Sequence, residues 1–176
     1  MPVLHRNCLL MLLLFSCMSA TSSAEPGIVV LDFELIDELN DPASAQTDQR
    51  RLLHASMLLR EQLQSCPGFD FADARFAAAE IDQARSRILY LHRCNGCTQE
   101  IARAAHARFV LFPWVQKVSN LILNVNAEVR AGTDGSLIAS RSVDIRGNTD
   151  RSWSRGVSAL ARRLCEKDAP ALSREH

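Results

Sequence analysis

The chain has no excess of charge: 20 Lys and Arg stand against 20 Asp and Glu. Nothing in that balance points to nucleic acid or to an anionic membrane surface as a partner. No internal repeat and no low-complexity segment is present. The apolar run Cys8 to Met18 holds eleven residues, short of the about 20 that a membrane-spanning helix needs. Ser119 and Ser152 have no recognisable nucleophile turn around them, which leaves hydrolase chemistry without support. Thr98 follows Cys97 where a haem-attachment motif would have histidine, so covalent c-type haem is disfavoured.

What is present first is an export signal. His5 and Arg6 precede the apolar run, and small residues end at Ser22-Ser23-Ala24, the layout of a cleaved secretory signal peptide over residues 1–24. Periplasmic location follows, with no membrane span. Leu14-Phe15-Ser16-Cys17 offers an alternative, a lipoprotein anchored at Cys17, although bulky Phe15 fits a lipobox poorly. Residues 25–168 have the length of one domain with a single core, and 169–176 read as a disordered tail. Arg50-Arg51 and Arg162-Arg163 sit among helix-patterned residues and read as solvated faces.

Gly27 to Leu35 reads as a first strand that leaves a buried sheet. The spacing of Leu52, Ser56, Leu59 and Leu63, joined by Leu53 and Met57, predicts a helix over 44–65, stopped by Cys66-Pro67-Gly68. Phe69 to Phe71 is a weak second strand. Residues 73–87 read helical with Phe76, Ala79 and Ile81 inward; Arg87 to His92 reads as loop, and Thr98 to His106 as a short helix packing Ile101, Ala104 and Ala105. From Phe109 three strands follow as a meander, with Thr133-Asp134-Gly135-Ser136 as one turn. Leu121, Leu123, Val125, Ala127 and Val129 alternate onto one face, the expected core face. Pro113 cannot donate a ladder hydrogen bond, so its strand is expected to be an edge or to carry a bulge there. Asn148 or Thr149 caps a last helix with the stripe Trp153, Val157, Leu160 and Leu164. The sum is an α/β (α+β) fold: a mixed sheet of about four to five strands, with a C-terminal antiparallel three-strand meander, covered by about four helices.

The segments Val29-Val30-Leu31-Asp32-Phe33-Glu34, Cys94-Asn95-Gly96-Cys97, Val115 to Asn124 and Ser142 to Asp150 resemble an exported bacterial family of unknown function, over nearly the whole mature chain. More distantly, the strand order and the Asp-Phe after the first strand are similar to the amino-terminal domain of TolB and to the periplasmic domains of the curli-secretion lipoprotein CsgG. The resemblance implies a TolB-like fold and a non-enzymatic accessory role through contact with an envelope protein. It also implies a link to an envelope or quinoprotein respiratory system.

The residues themselves leave several chemistries open. Cys66, Cys94, Cys97 and Cys165 are disulfide candidates in an oxidising compartment, and sequence does not choose among their three pairings. A functional reading makes Cys94 and Cys97 a thiol-disulfide oxidoreductase couple near a helix start. It lacks the well-defined preceding strand and facing cis-proline loop of a thioredoxin-like enzyme. A metal-binding reading would use His92, Cys94, Cys97 and His106, at irregular spacing and in competition with oxidation. No cofactor is expected. Asp32, Glu34 and Asp144 show no convergence into an acid-base pair. The amides of Gln116, Asn120, Asn124 and Asn126 form a polar row that could contact a partner, and Trp114 and Trp153 are core or core-edge residues that could anchor an interface.

Overall fold

The computed structural model describes residues 27–168 and residue 172. The signal segment, Cys17 and most of the tail lie outside the described residues. Leu172, expected in the tail, is buried against the core, with its N–H donating to Asp168 O at 3.0 Å.

The elements run β1 (Ile28–Val30), β2 (Glu34–Asp37), α1 (Ala45–Gln64), a 3-10 turn (Ala74–Ala77), α2 (Ala78–Arg87), a second 3-10 turn (Leu91–Arg93), α3 (Cys97–Ala104), β3 (Phe109–Lys117), β4 (Ile122–Ala131), β5 (Leu137–Arg146) and α4 (Asp150–Lys167). They form the expected mixed α+β fold, with one five-stranded sheet in the order β1-β3-β4-β5 and β2 also paired to β3. β1 and β2 run parallel to β3, while β3, β4 and β5 are the antiparallel meander.

The single first strand expected over 27–35 is split, and Pro113 explains why. β1 pairs through Val30 with Leu111, and β2 starts where Glu34 meets Trp114. Phe109 N–H donates to Gly27 O and Leu31 N–H to Leu111 O, so odd-numbered residues of β3 direct their backbone groups at β1. The next donor in that alternation would be residue 113, and proline has none. Pro113 therefore sits inside a central strand, neither at an edge nor in a bulge, opposite the gap at 31–33. The N–H of Phe33, freed by the gap, donates to the buried Ser56 Oγ at 2.9 Å.

The helices α1 and α4 cover one face of the sheet. Leu52, Leu59, Leu63, Trp153, Val157, Leu160 and Leu164 pack on Phe109, Leu111, Val115, Leu123, Val125, Val129, Val143 and Ile145. Thr149 caps α4 by accepting from Ser152 N–H at 3.2 Å. Leu123, Val125, Ala127 and Val129 are fully buried, as their alternation requires, but Leu121 lies in the turn before β4 and is 72% exposed. On the other face a smaller layer, α2 and α3 with the two 3-10 turns, buries Ala77, Ile81, Ala84, Leu91 and Ile101 on Val29, Leu31, Val110 and Phe112. Phe76 and Ala79 point out of it, as do Leu53 and Met57 from α1. Each was expected inward from apolar character, and each lies off the stripe that meets the sheet. The segment 69–71 contributes only an isolated bridge, Ile28 to Phe71.

The two described disulfides differ in what they hold. Cys66–Cys165 ties the end of α1 to the last turn of α4 across 99 residues, Cys94–Cys97 closes a separation of three, and both have Cα atoms 5.6 Å apart. Loop entropy makes the first worth about 4.7 kcal/mol and the second only about 2.

Gly156 lets α4 lie close to the sheet: a Cβ there would meet Ile145 Cγ2 at 2.6 Å and Val125 Cγ2 at 2.9 Å. Both neighbours are buried β-branched side chains. Overpacking costs about 1–3 kcal/mol, against about 1 kcal/mol gained by removing a helix glycine. Gly156→Ala is thus expected to lower the urea midpoint by the equivalent of up to about 2 kcal/mol with little change in slope; a raised midpoint would contradict this packing.

Candidate functional site

Three places in the fold gather polar chemistry. The first is a sealed cluster beneath the starts of α1 and α4. Lys117, one of two lysines in the chain, ends β3 on the face that carries Phe109, Leu111 and Val115, and it is fully buried. Its ammonium donates to Asp48 Oδ2 and to Ser44 Oγ, both at 2.7 Å, and lies 3.4 Å from Asp37 Oδ2. Asp48, 1% exposed, takes its other oxygen to Arg51 Nη1 at 3.1 Å and Asn148 Nδ2 at 3.4 Å. Arg51 continues to Asp150 Oδ1 at 2.7 Å, and Asn148 Oδ1 accepts from Arg51 Nη1 at 3.0 Å and from Trp153 Nε1 at 2.8 Å.

Burial pushes the Asp48 carboxyl up, but the Lys117 ammonium and the Ser44 hydroxyl outweigh it and hold the group below its ordinary value. Burial likewise opposes charge on Lys117, and Asp48 and Asp37 outweigh it, so its pKa rises. Both groups stay charged in the dry interior because each satisfies the other. Arg51, read from sequence as solvated, is largely covered and bridges two carboxylates. Neither Lys117 nor Asp48 was singled out from sequence. The signal was there: Lys117 falls on the buried parity of β3, and Asp48 extends the stripe Leu52, Ser56, Leu59, Leu63 back by four.

The second place is the Cys94–Cys97 turn. Glu34 on β2 accepts from Leu91 N–H, at 2.9 Å to one oxygen and 3.2 Å to the other, and its Oε2 lies 3.8 Å from His92 Nδ1. His92 is buried and stacks on Trp114 with ring centroids 4.2 Å apart. A cleft of about 200 Å³ lies beside Cys94, lined also by His92, Arg93, Thr98, Gln99 and Arg130. His106 lines a different cavity, with Arg103 and Arg108, and both sulfurs of the turn are bridged. The four residues of the metal reading therefore do not form one ligand set here.

The third place is the part of the second sheet face that no described helix covers. Gln116 and Asn124 are direct cross-strand partners, Asn124 faces Asp144, and Asn126 faces Ser142. Asn124 donates to Asp144 Oδ1, and Gln116 Nε2 donates to Glu38 Oε1 at 2.6 Å. Asn126 is buried and donates to Asn124 O at 3.1 Å. Asn120 is apart from this row: it sits in the β3–β4 turn and accepts from Asn148 through both its backbone and its side-chain oxygens. Ser140, Ser142 and Asp144 on β5 are exposed.

The remaining candidates are separated. Asp32 pairs with Arg60 at 2.9 Å, away from the partners of Glu34 and Asp144. Ser119 Oγ accepts from Leu121 and Ile122 N–H, and Ser152 Oγ donates to Arg146 O. Among the described residues no helix is long and apolar enough to cross a membrane.

The ion pair sets a pH and mutational signature. Asp48 contributes stability above its unfolded value of 3.8 that is lost as pH falls through its lower folded value. Lys117 contributes below 10.5 and loses that contribution as pH rises through its higher folded value. Lys117→Met is expected to cost about 3–5 kcal/mol in urea unfolding at neutral pH, because Asp48 is left charged and buried. Adding Asp48→Leu should recover most of the loss, and a double variant as weak as the single would refute the coupling.

Residues 26–164 match the sequence model of the DUF3280 family, described as protein of unknown function (DUF2380). No curated protein matches the chain. Among solved structures the chain is similar to lipoprotein GNA1162 from Neisseria meningitidis, with 16% identity, 81% of this chain and 99% of that one covered, and a TM-score of 0.45. It is similar to the PelC dodecamer from Paraburkholderia phytofirmans, with 18% identity, coverage of 85% and 89%, and a TM-score of 0.43. It is also similar to TolB from Acinetobacter baumannii, with 10% identity, coverage of 82% but only 29% of TolB, and a TM-score of 0.44. Since the family match runs from before β1 into the last turn of α4, the chain belongs to the DUF3280 family of proteins of unknown function.

Proposed function

We propose that the protein is a non-enzymatic, exported accessory domain that docks to an envelope protein through the open polar face of its sheet. The observation that carries this reading is the uncovered surface around Gln116, Asn124, Ser142 and Asp144, set on strands whose opposite side is packed against α1 and α4. Amides and carboxylates fixed in register on rigid strands offer repeated donors and acceptors without needing to order a loop first. The polar cluster with the most buried charge, around Lys117, supports a structural role, because its ammonium and its Asp48 carboxylate are saturated and closed to substrate. The apolar segment before Ala24 supports export.

A photo-crosslinking amino acid placed at Gln116, Asn124 or Ser142 in the exporting bacterium is expected to trap the same envelope protein at all three positions, and not at Gln83 on the outer side of α2. Asn124→Ala and Asp144→Ala should each lower the yield about fivefold or more, as loss of roughly 1 kcal/mol of contact would. Equal trapping at Gln83, or none at the open face, would overturn the reading.

A further inference from the structure

The Cys94–Cys97 bridge is a poor staple in a place that does not need one. α3 is already held by Ile101, Ala102 and Ala105, all buried in the small layer with Phe112. The long-range bridge Cys66–Cys165 carries the covalent constraint on the core. The local bridge instead has the features of an exchangeable disulfide.

Its two sulfur-bearing residues are unequal. Cys94 is partly exposed on extended backbone beside the cleft of about 200 Å³. Cys97 is 1% exposed and is the first residue of α3. Gly96, at φ 88°, lets the chain turn into that helix and supplies no capping side chain. Among the described residues no side-chain cap is made at the start of α3, where negative charge on Cys97 would be stabilised by the first-turn N–H groups. The cleft is polar and carries charges of both signs: Arg93 is exposed, Arg130 pairs with Glu128, and Asp134 lines the same cleft. Within the described residues His92 Nδ1 and Gln99 Oε1, both from side chains lining it, are buried without a hydrogen-bond partner.

We propose that Cys94–Cys97 is a thiol-exchange centre that accepts two electrons from a dithiol carried by a protein. A thiolate of that dithiol attacks Cys94 Sγ, the reachable sulfur. The bond to Cys97 breaks, and its electron pair leaves on Cys97 Sγ as a thiolate at the start of α3. The bond formed is a mixed disulfide between Cys94 and the partner. The partner's second thiolate then attacks its own sulfur in that bond, and Cys94 leaves as a thiolate. The partner departs oxidised, and the two protons of its dithiol end on Cys94 and Cys97. A leaving thiolate stabilised by the helix start favours the reduced form of this pair, which makes the bridge an oxidant. The exchange is stoichiometric, one bridge reduced for each dithiol oxidised, with no turnover, and it does not rest on docking through the open sheet face.

The test equilibrates the folded protein with graded mixtures of reduced and oxidised glutathione and counts free thiols by alkylation. Fluorescence of Trp114, stacked on His92 in the wall of the same cleft, gives a second readout. Cys94–Cys97 should open at a glutathione ratio at least about a hundredfold more oxidising than Cys66–Cys165 requires. Cys97→Ser should trap glutathione on Cys94 at least about tenfold faster than Cys94→Ser traps it on the buried Cys97. Reduction of both bridges together, or only on unfolding, would overturn the proposal, as would equal trapping rates. The wild-type titration decides alone if either variant fails to fold.

Discussion

Lys117 and Asp48 meet where β2 and β3 end and where α1 and α4 begin. Moving either charge out of water costs several kcal/mol, and only close pairing with further hydrogen bonds returns that cost. The ammonium is therefore surrounded by Asp48, Asp37 and Ser44, and the second Asp48 oxygen by Arg51 and Asn148. Ser44, Asp48 and Arg51 come from the start of α1, Asp37 from the end of β2 and Asn148 from the turn before α4. Sliding α1 along the sheet by one turn would carry Asp48, Ser44 and Arg51 away together and leave the buried Lys117 ammonium with Asp37 alone, so the cluster specifies one seating of the helix where apolar packing alone would tolerate several.

The same helix pair is closed at its other end by covalent chemistry. Arg51 meets Asp150 near the starts of α1 and α4, Gln62 meets Ser158 midway at 2.8 Å, and Cys66 bonds Cys165 near the ends. The two helices thus run side by side in the same direction, clamped at both extremities. One face of the sheet is fully occupied in consequence. Among the described residues the other face is covered by the small α2–α3 layer over β1, β3 and the end of β4, and that unequal covering leaves polar residues of β4 and β5 facing outward. Pro113 contributes to the arrangement by breaking the β1–β2 edge, through which Phe33 N–H reaches Ser56.

Much of this was legible in the linear order of residues. The strict alternation Leu123, Val125, Ala127, Val129 and the stripe Trp153, Val157, Leu160, Leu164 report their own faces, because one period serves one buried side. Leu53, Met57, Phe76 and Leu121 misled for the same reason: apolar character marks a residue that can be buried, and only the partner surface decides whether it is. In the linear sequence the amides of Gln116, Asn120, Asn124 and Asn126 form one row. Three of its members share the sheet face, while Asn120 turned out of it into the loop, where Asn148 claimed its hydrogen bonds.

Local period, turn residues and composition were enough to read the main helices, the C-terminal meander and the four disulfide-candidate cysteines, but not the break that splits the first strand in two at Pro113 or the reduction of 69–71 to a single bridge. Tertiary structure alone decided which cysteines pair, that a lysine and an aspartate 69 positions apart share one dry site, and which half of the sheet stays open. Those outcomes depend on long-range contact, and the physical quantity that governs them, desolvation against pairing, has no value until distant segments are brought together.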